Sequence, residues 1–249
     1  MLAILALLIV PAHNVEAATT TDLEYGLLAK INEARAEHGL RPLRGNTGVW
    51  AVAGTRAARL ASTNILSHSV PGSIAAQLNA RDVQWYAYGE DIGYTRARRG
   101  AAAVDELFRL WKASPPHWQL MMSSNYNYIG VGLAYRASNN KTFGSLVFTE
   151  SRDVTRPRAY MDGASLNGST ATWSWHGADP VLQTHTAGIR SYDVQTSRDS
   201  GSWRTVASGT TATSRSWGGL SPGHIYRMRV RARDRAGNVG AWVILRVRP

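Results

Sequence analysis

The chain changes its hydrophobic period once, and that change constrains its architecture more than any single motif. Before about residue 153, apolar residues recur at helical spacing and then in strand-like runs. Leu23, Leu27, Ile31 and Ala34 fall on one helical face, and Gly39 and Pro42 then stop the helix. Thr21-Asp22-Leu23-Glu24 reads as a capping box opening it. Val49, Val52, Ala53, Ala57 and Leu60 predict a second helix, and Val104, Leu107, Phe108 and Trp111 a third. "YIGVGLAY" (128–135) and "TFGSLVFTE" (142–150) read as strands joined by a turn at 138–140. Beyond 153 the helical period disappears. Six short runs, 169–175, 189–197, 202–207, 213–217, 225–233 and 241–247, alternate between turn residues, the pattern of an all-β sandwich. Gly237 and Asn238, which tolerate positive φ, mark the turn between the last two. The expected organisation is an α+β layered domain over 19–153, a linker at 154–157 and a β-sandwich over 158–249.

Ser114-Pro115-Pro116-His117 closes the third helical pattern. Proline disfavours the α region in the residue before it, so the helix carrying Trp111 is expected to end near Ser114. His117 then falls on the following turn, where two pyrrolidine rings restrict its backbone.

With no cysteine in 249 residues, disulfides, thiolate metal sites and cysteine nucleophiles are excluded. Leu2–Val10 is an unbroken apolar run, too short for a membrane helix of about 20 residues. With Val15-Glu16-Ala17 behind it, residues 1–17 read as a signal peptide cleaved near Ala17, which predicts a secreted, extracellular or cell-surface protein. Residues 154–249 carry thirteen arginines against five acidic residues, an imbalance that suits an anionic partner. Arg227, Arg229, Arg231 and Arg233 alternate with Tyr226, Met228, Val230 and Ala232. On a strand this sends the arginines to one outer face, about 6.6 Å apart. Such a row suits an anionic surface or cell-wall polymer; the competing reading pairs it with local acids such as Asp193 or Asp199. No aromatic and basic interleaving of a recognised nucleic-acid fold is present, so no specific nucleic-acid partner is expected.

Several spaced segments carry a resemblance. "INEARAEHGLRPL" (31–43), Leu66-Ser67-His68, "GEDIG" (89–93), "LWKASPPH" (110–117) and "NYIGVGLAY" (127–135) resemble the CAP superfamily of cysteine-rich secretory proteins, in its cysteine-free bacterial form. The resemblance implies an α-β-α sandwich with a cleft lined by histidines and a glutamate, and places His68, Glu90 and His117 on the cleft motifs. It departs from the family pattern at Asp91 and Pro116, where asparagine and glycine are usual, and Glu106 is a weak candidate for a second glutamate. The second half is similar to a fibronectin type III module in residues 187–203 and 220–242, with Tyr226 at the module's tyrosine position.

Two imidazoles and a carboxylate at His68, Glu90 and His117 could hold a divalent metal such as zinc. They could also form a general-base pair, or simply a polar cleft for a small lipid or glycan ligand. No His-Glu-x-x-His or Gly-x-Ser-x-Gly stands in the chain. The favoured reading is a ligand-binding or surface-interaction protein; the alternative is a secreted, metal-assisted hydrolase using the same three residues. His38 is expected to meet the last carbonyls of its helix, and His176, His185 and His224 to be solvated. Trp173, Trp175 and Trp242 read as core or as sugar-stacking platforms, with core favoured.

Overall fold

The computed structural model describes residues 20–96 and 99–249. The expected signal segment therefore lies outside the described residues. In chain order the elements are α1 (Thr20–Glu37), β1 (Arg44–Gly45), α2 (Thr47–Thr63), α3 (Ile74–Asn79), β2 (Trp85–Arg96), α4 (Gly100–Lys112), α5 (Pro115–Met121), β3 (Tyr128–Arg136) and β4 (Lys141–Ser151). The strands β5 (Arg158–Asn167), β6 (Thr170–Ala178), β7 (Ile189–Arg198), β8 (Arg204–Thr210), β9 (Ser214–Trp217), β10 (Tyr226–Asp234) and β11 (Val243–Val247) follow.

The first domain is a three-layer α-β-α sandwich. Its sheet runs β1-β3-β4-β2, with β2 at an edge. Helix α2 covers one face, where Val49, Val52 and Val147 pack; α1, α4 and α5 cover the other, around Leu27, Ile31, Leu107, Trp111, Met121 and Phe148. The alternating glycines of "YIGVGLAY" explain how α2 lies so close. A Cβ at Gly130 would overlap the Val49 carbonyl, and one at Gly132 the Ala53 carbonyl, so helix backbone rests directly on strand backbone. Gly132→Ala should therefore lower stability by about 2 kcal/mol through overpacking. Gly26→Ala, at an exposed helical position with open space around it, should raise stability by up to about 1 kcal/mol. Thermal unfolding of both variants checks the contrast; equal melting temperatures would remove the close approach as a constraint.

Helix ends follow from local chemistry. Asn46 caps α2, its side chain accepting from Gly48 N and Val49 N. His38 Nδ1 meets Ala34 O at 2.8 Å, and Gly39 turns the chain at φ +70° after α1. The capping-box reading of Thr21 and Glu24 is corrected. Glu24 is buried and accepts from Trp50 Nε1 (2.8 Å) and from Leu133 N (3.1 Å), tying α1 to α2 and β3 instead of closing its own first turn. The reading of His117 is corrected as well. Pro115 occupies the first turn of a new helix, for which its fixed φ is preorganised, so His117 sits on the first turn of α5.

The second domain packs β11-β10-β7-β8 against β5-β6-β9, the two-sheet arrangement of a fibronectin type III sandwich. β5 was not legible as a strand in the sequence. Trp173 and Trp175 are buried in the core, and Tyr226 accepts from Ser221 N through its hydroxyl, closing a tyrosine corner. Gly237 takes φ +93° in the 234–238 turn, whereas Asn238 works through its amide, donating to Asp234 from backbone and side chain.

The linker and the β6–β7 loop fasten the two domains. Val154 N donates to Tyr128 Oη, and Asp153 Oδ2 accepts from Ala187 N. His185 is exposed, as expected, but also partnered: its Nε2 lies 2.8 Å from Glu150 Oε1 and its ring lies tilted against Tyr86. His176 and His224 likewise have partners, Asp162 and Asp199.

Candidate functional site

Glu90, one of the three residues expected to line a cleft, lies on the edge strand β2. The strand's side chains alternate between the faces of the sheet, so neighbours Glu90 and Asp91 go to opposite layers. Glu90 points toward α2 and meets Arg56, which is fully buried. Arg56 holds both Glu90 oxygens, through Nε to Oε1 and Nη2 to Oε2 (2.8 Å). It also donates to the carbonyls of His68 and Gly72, each at 2.8 Å, which pins the loop carrying His68. Ser145 Oγ donates to Glu90 Oε1, and His68 Nδ1 lies 2.7 Å from Glu90 Oε2. A carboxylate held by a guanidinium only accepts, so His68 Nδ1 carries the proton. The His68 side chain is 61% exposed, and its other ring nitrogen has no partner among the described residues. The result is a chain from Arg56 through Glu90 to His68 that fixes an exposed imidazole in one tautomer.

His117 approaches from α5. Its Nδ1 bonds Ser114 Oγ at 2.7 Å. Burial lowers its pKa, and the nearby His68 lowers it further, so the ring is neutral at neutral pH. α5 is anchored by a second arginine, Arg35. This buried guanidinium donates to Arg41 O, Met121 O and Ser123 O, and burial pushes its pKa down to about 10. The structure thus brings His68 and Glu90 into contact and His117 within electrostatic reach of His68. Arg56 and Arg35, missed in the sequence, organise both. Glu106 pairs with Arg109 on α4.

On the opposite face of β2, Asp91 is fully buried, and neither carboxyl oxygen has a hydrogen-bond partner among the described residues. Burial first, and Glu90 second, push its pKa up to about 8, so it is a neutral acid at neutral pH.

The three predicted ligands do not fit a resident metal as they stand. Glu90 has both oxygens engaged by a guanidinium whose charge opposes a nearby cation. The group of three acidic or imidazole donors found within 4.8 Å of one another among the described residues is elsewhere, at Asp153, Asp179 and Asp234. There each carboxylate accepts from local backbone, from Ala187 N, Gly188 N and Asn238 N respectively, at the domain junction.

In the second domain the predicted arginine row is a stacked ladder. Arg227 and Arg229 lie over Trp203, and Arg229 and Arg231 over Trp242, with centroid distances of 4.3–5.2 Å. Within their planes, Arg229 donates to Gln195 and Arg231 and Arg233 to Asp193. Trp242 is therefore neither core nor a free sugar platform: it separates two guanidinium groups.

Residues 28–149 match the cysteine-rich secretory protein family, CAP. The first domain is a CAP domain. No curated protein matches the chain. Among solved structures, the chain is similar to an outer surface protein of Borrelia burgdorferi at 17% identity and TM-score 0.47, covering 55% of this chain and 98% of that one. It is also similar to an extracellular SCP-domain protein of Bacillus anthracis at 22% identity and TM-score 0.43, covering 53% of this chain and 43% of that one. A Fn3-like protein of Clostridium thermocellum matches at 25% identity and TM-score 0.26, over 37% of this chain and 93% of that one. Sequence motifs, layer order and the cleft chain all fall within the CAP-matched span.

Proposed function

We propose that this is an exported surface protein whose CAP cleft binds a small lipid or glycan through His68 and His117. One observation carries the reading: Arg56 and Glu90 hold His68 in a single tautomer with its free nitrogen exposed. Preorganised polar groups of this kind fix ligand orientation at low entropic cost. The neutral His117 supplies a second polar group that desolvates without losing a charge. Export rests on the apolar N-terminal run and on the secretory character of the family. The basic second domain adds salt-dependent attraction to an anionic surface.

A hydrolase reading draws on the same pair, since an imidazole oriented by a carboxylate is also the geometry of a general base. Native mass spectrometry of the exported protein, beside a His68→Ala, His117→Ala variant, tests binding. The expected result is a co-purifying mass on the wild type that the variant loses. Equal spectra for the two proteins would sink the cleft as the ligand site.

A further inference from the structure

The open flank of the second domain lies between β8, an edge of the four-stranded sheet, and β9, an edge of the three-stranded one. A cavity of about 650 Å³ occupies it, bordered by Arg204 and Arg215 from the two facing edges and by Trp217 and Val206. Neither the Arg204 nor the Arg215 guanidinium has a hydrogen-bond or ion-pair partner among the described residues, and both residues are exposed. The domain contains no acid left over to neutralise them. Asp193 is taken by Arg231 and Arg233, Asp199 by His224 and Arg198, and Asp162 by His176. Asp179 and Asp234 are occupied by backbone amides at the far junction.

We propose that this flank binds an acidic glycan, a chain of sugar rings bearing carboxylates. The two arginines line the same cavity from opposite sheets, and each guanidinium offers the fork that carboxylates fit in bidentate fashion. Trp217 is partly exposed and is backed by Tyr226, 5.0 Å away and edge-on, so an indole is held at the cavity for the apolar face of a sugar ring. Ser202 supplies a hydroxyl that can both donate and accept, as sugar hydroxyls require. A ringless phosphodiester chain would satisfy the arginines and leave the indole unused. The arginine ladder on β10 is a separate surface, with its guanidinium groups already stacked and hydrogen-bonded.

The test is isothermal calorimetry of the full chain with a hexameric oligogalacturonate, a neutral malto-oligosaccharide and a poly(glycerol phosphate) of similar length. Oligogalacturonate should bind best, and more weakly as salt rises. Arg204→Ser, Arg215→Ser should weaken it by about tenfold or more. Arg158→Ser, Arg190→Ser removes the same charge from exposed positions outside the cavity and should leave binding near wild type. Equal weakening by the two double variants would overturn the site in favour of general charge attraction. Equal or tighter binding of the neutral or the phosphate chain, or no binding of oligogalacturonate, would overturn the ligand class. The CAP cleft takes no part in any arm, so these outcomes are independent of the reading given to His68 and His117.

Discussion

Arg56→Leu should destabilise the protein by about 3–5 kcal/mol, because it leaves the Glu90 carboxylate buried without its guanidinium. The loss is larger than that of a surface ion pair, which contributes about 1 kcal/mol or less. Two further hydrogen bonds, to the carbonyls of His68 and Gly72, disappear with it. Arg56→Leu, Glu90→Leu should recover most of the stability, since apolar replacement of both partners of a buried pair is often neutral. The double variant should nonetheless lose the fixed orientation of His68. Denaturant unfolding of the three proteins separates these effects. A cost below about 1 kcal/mol for the single variant would mean that the pair is solvated and does not organise the cleft.

Asp91→Asn should stabilise the protein increasingly as pH rises. In the unfolded chain the aspartate ionises near pH 4, whereas in the folded chain its pKa is about 8. Between these values the folded state holds a proton that the unfolded state has released, so folding becomes less favourable with each pH unit. Below about pH 4 both states are protonated and the contribution is constant; above about pH 8 both are ionised and the full penalty, about 5 kcal/mol, is in place. Asparagine carries no such charge and escapes that penalty. The melting-temperature difference between variant and wild type should therefore be small at pH 4 and largest at pH 8 and above. A difference that stays flat across this range would show that Asp91 finds water or a cation when ionised.

The sequence showed the main helices and the β3–β4 pair of the CAP domain because their signals are local: helical stripes and strand-like runs. The edge strand β2 was not legible as a strand, since "WYAYGEDIGYTR" mixes exposed tyrosines with two buried acids and gives no clean alternation. His68 and Glu90 were found by motif and do meet. Arg56 was missed although its position held a signal. Val49, Val52, Ala53, Arg56, Ala57 and Leu60 form one buried stripe, and an arginine continuing an apolar face must have a buried partner. Arg35 continues the α1 stripe in the same way. The arginine row of β10 was legible as a row but not as a ladder, because Trp203 and Trp242 reach it from other parts of the chain and only the fold brings them between the guanidinium groups.

The most direct measurement is long-range ¹H–¹⁵N NMR of the histidine side chains in the exported chain, before and after one equivalent of zinc. The account predicts that His68 is protonated on Nδ1, that this preference is lost in Glu90→Gln, and that zinc moves neither His68 nor His117 stoichiometrically. A wild-type His68 protonated on Nε2, or both rings shifting together on one tight zinc isotherm, would contradict it.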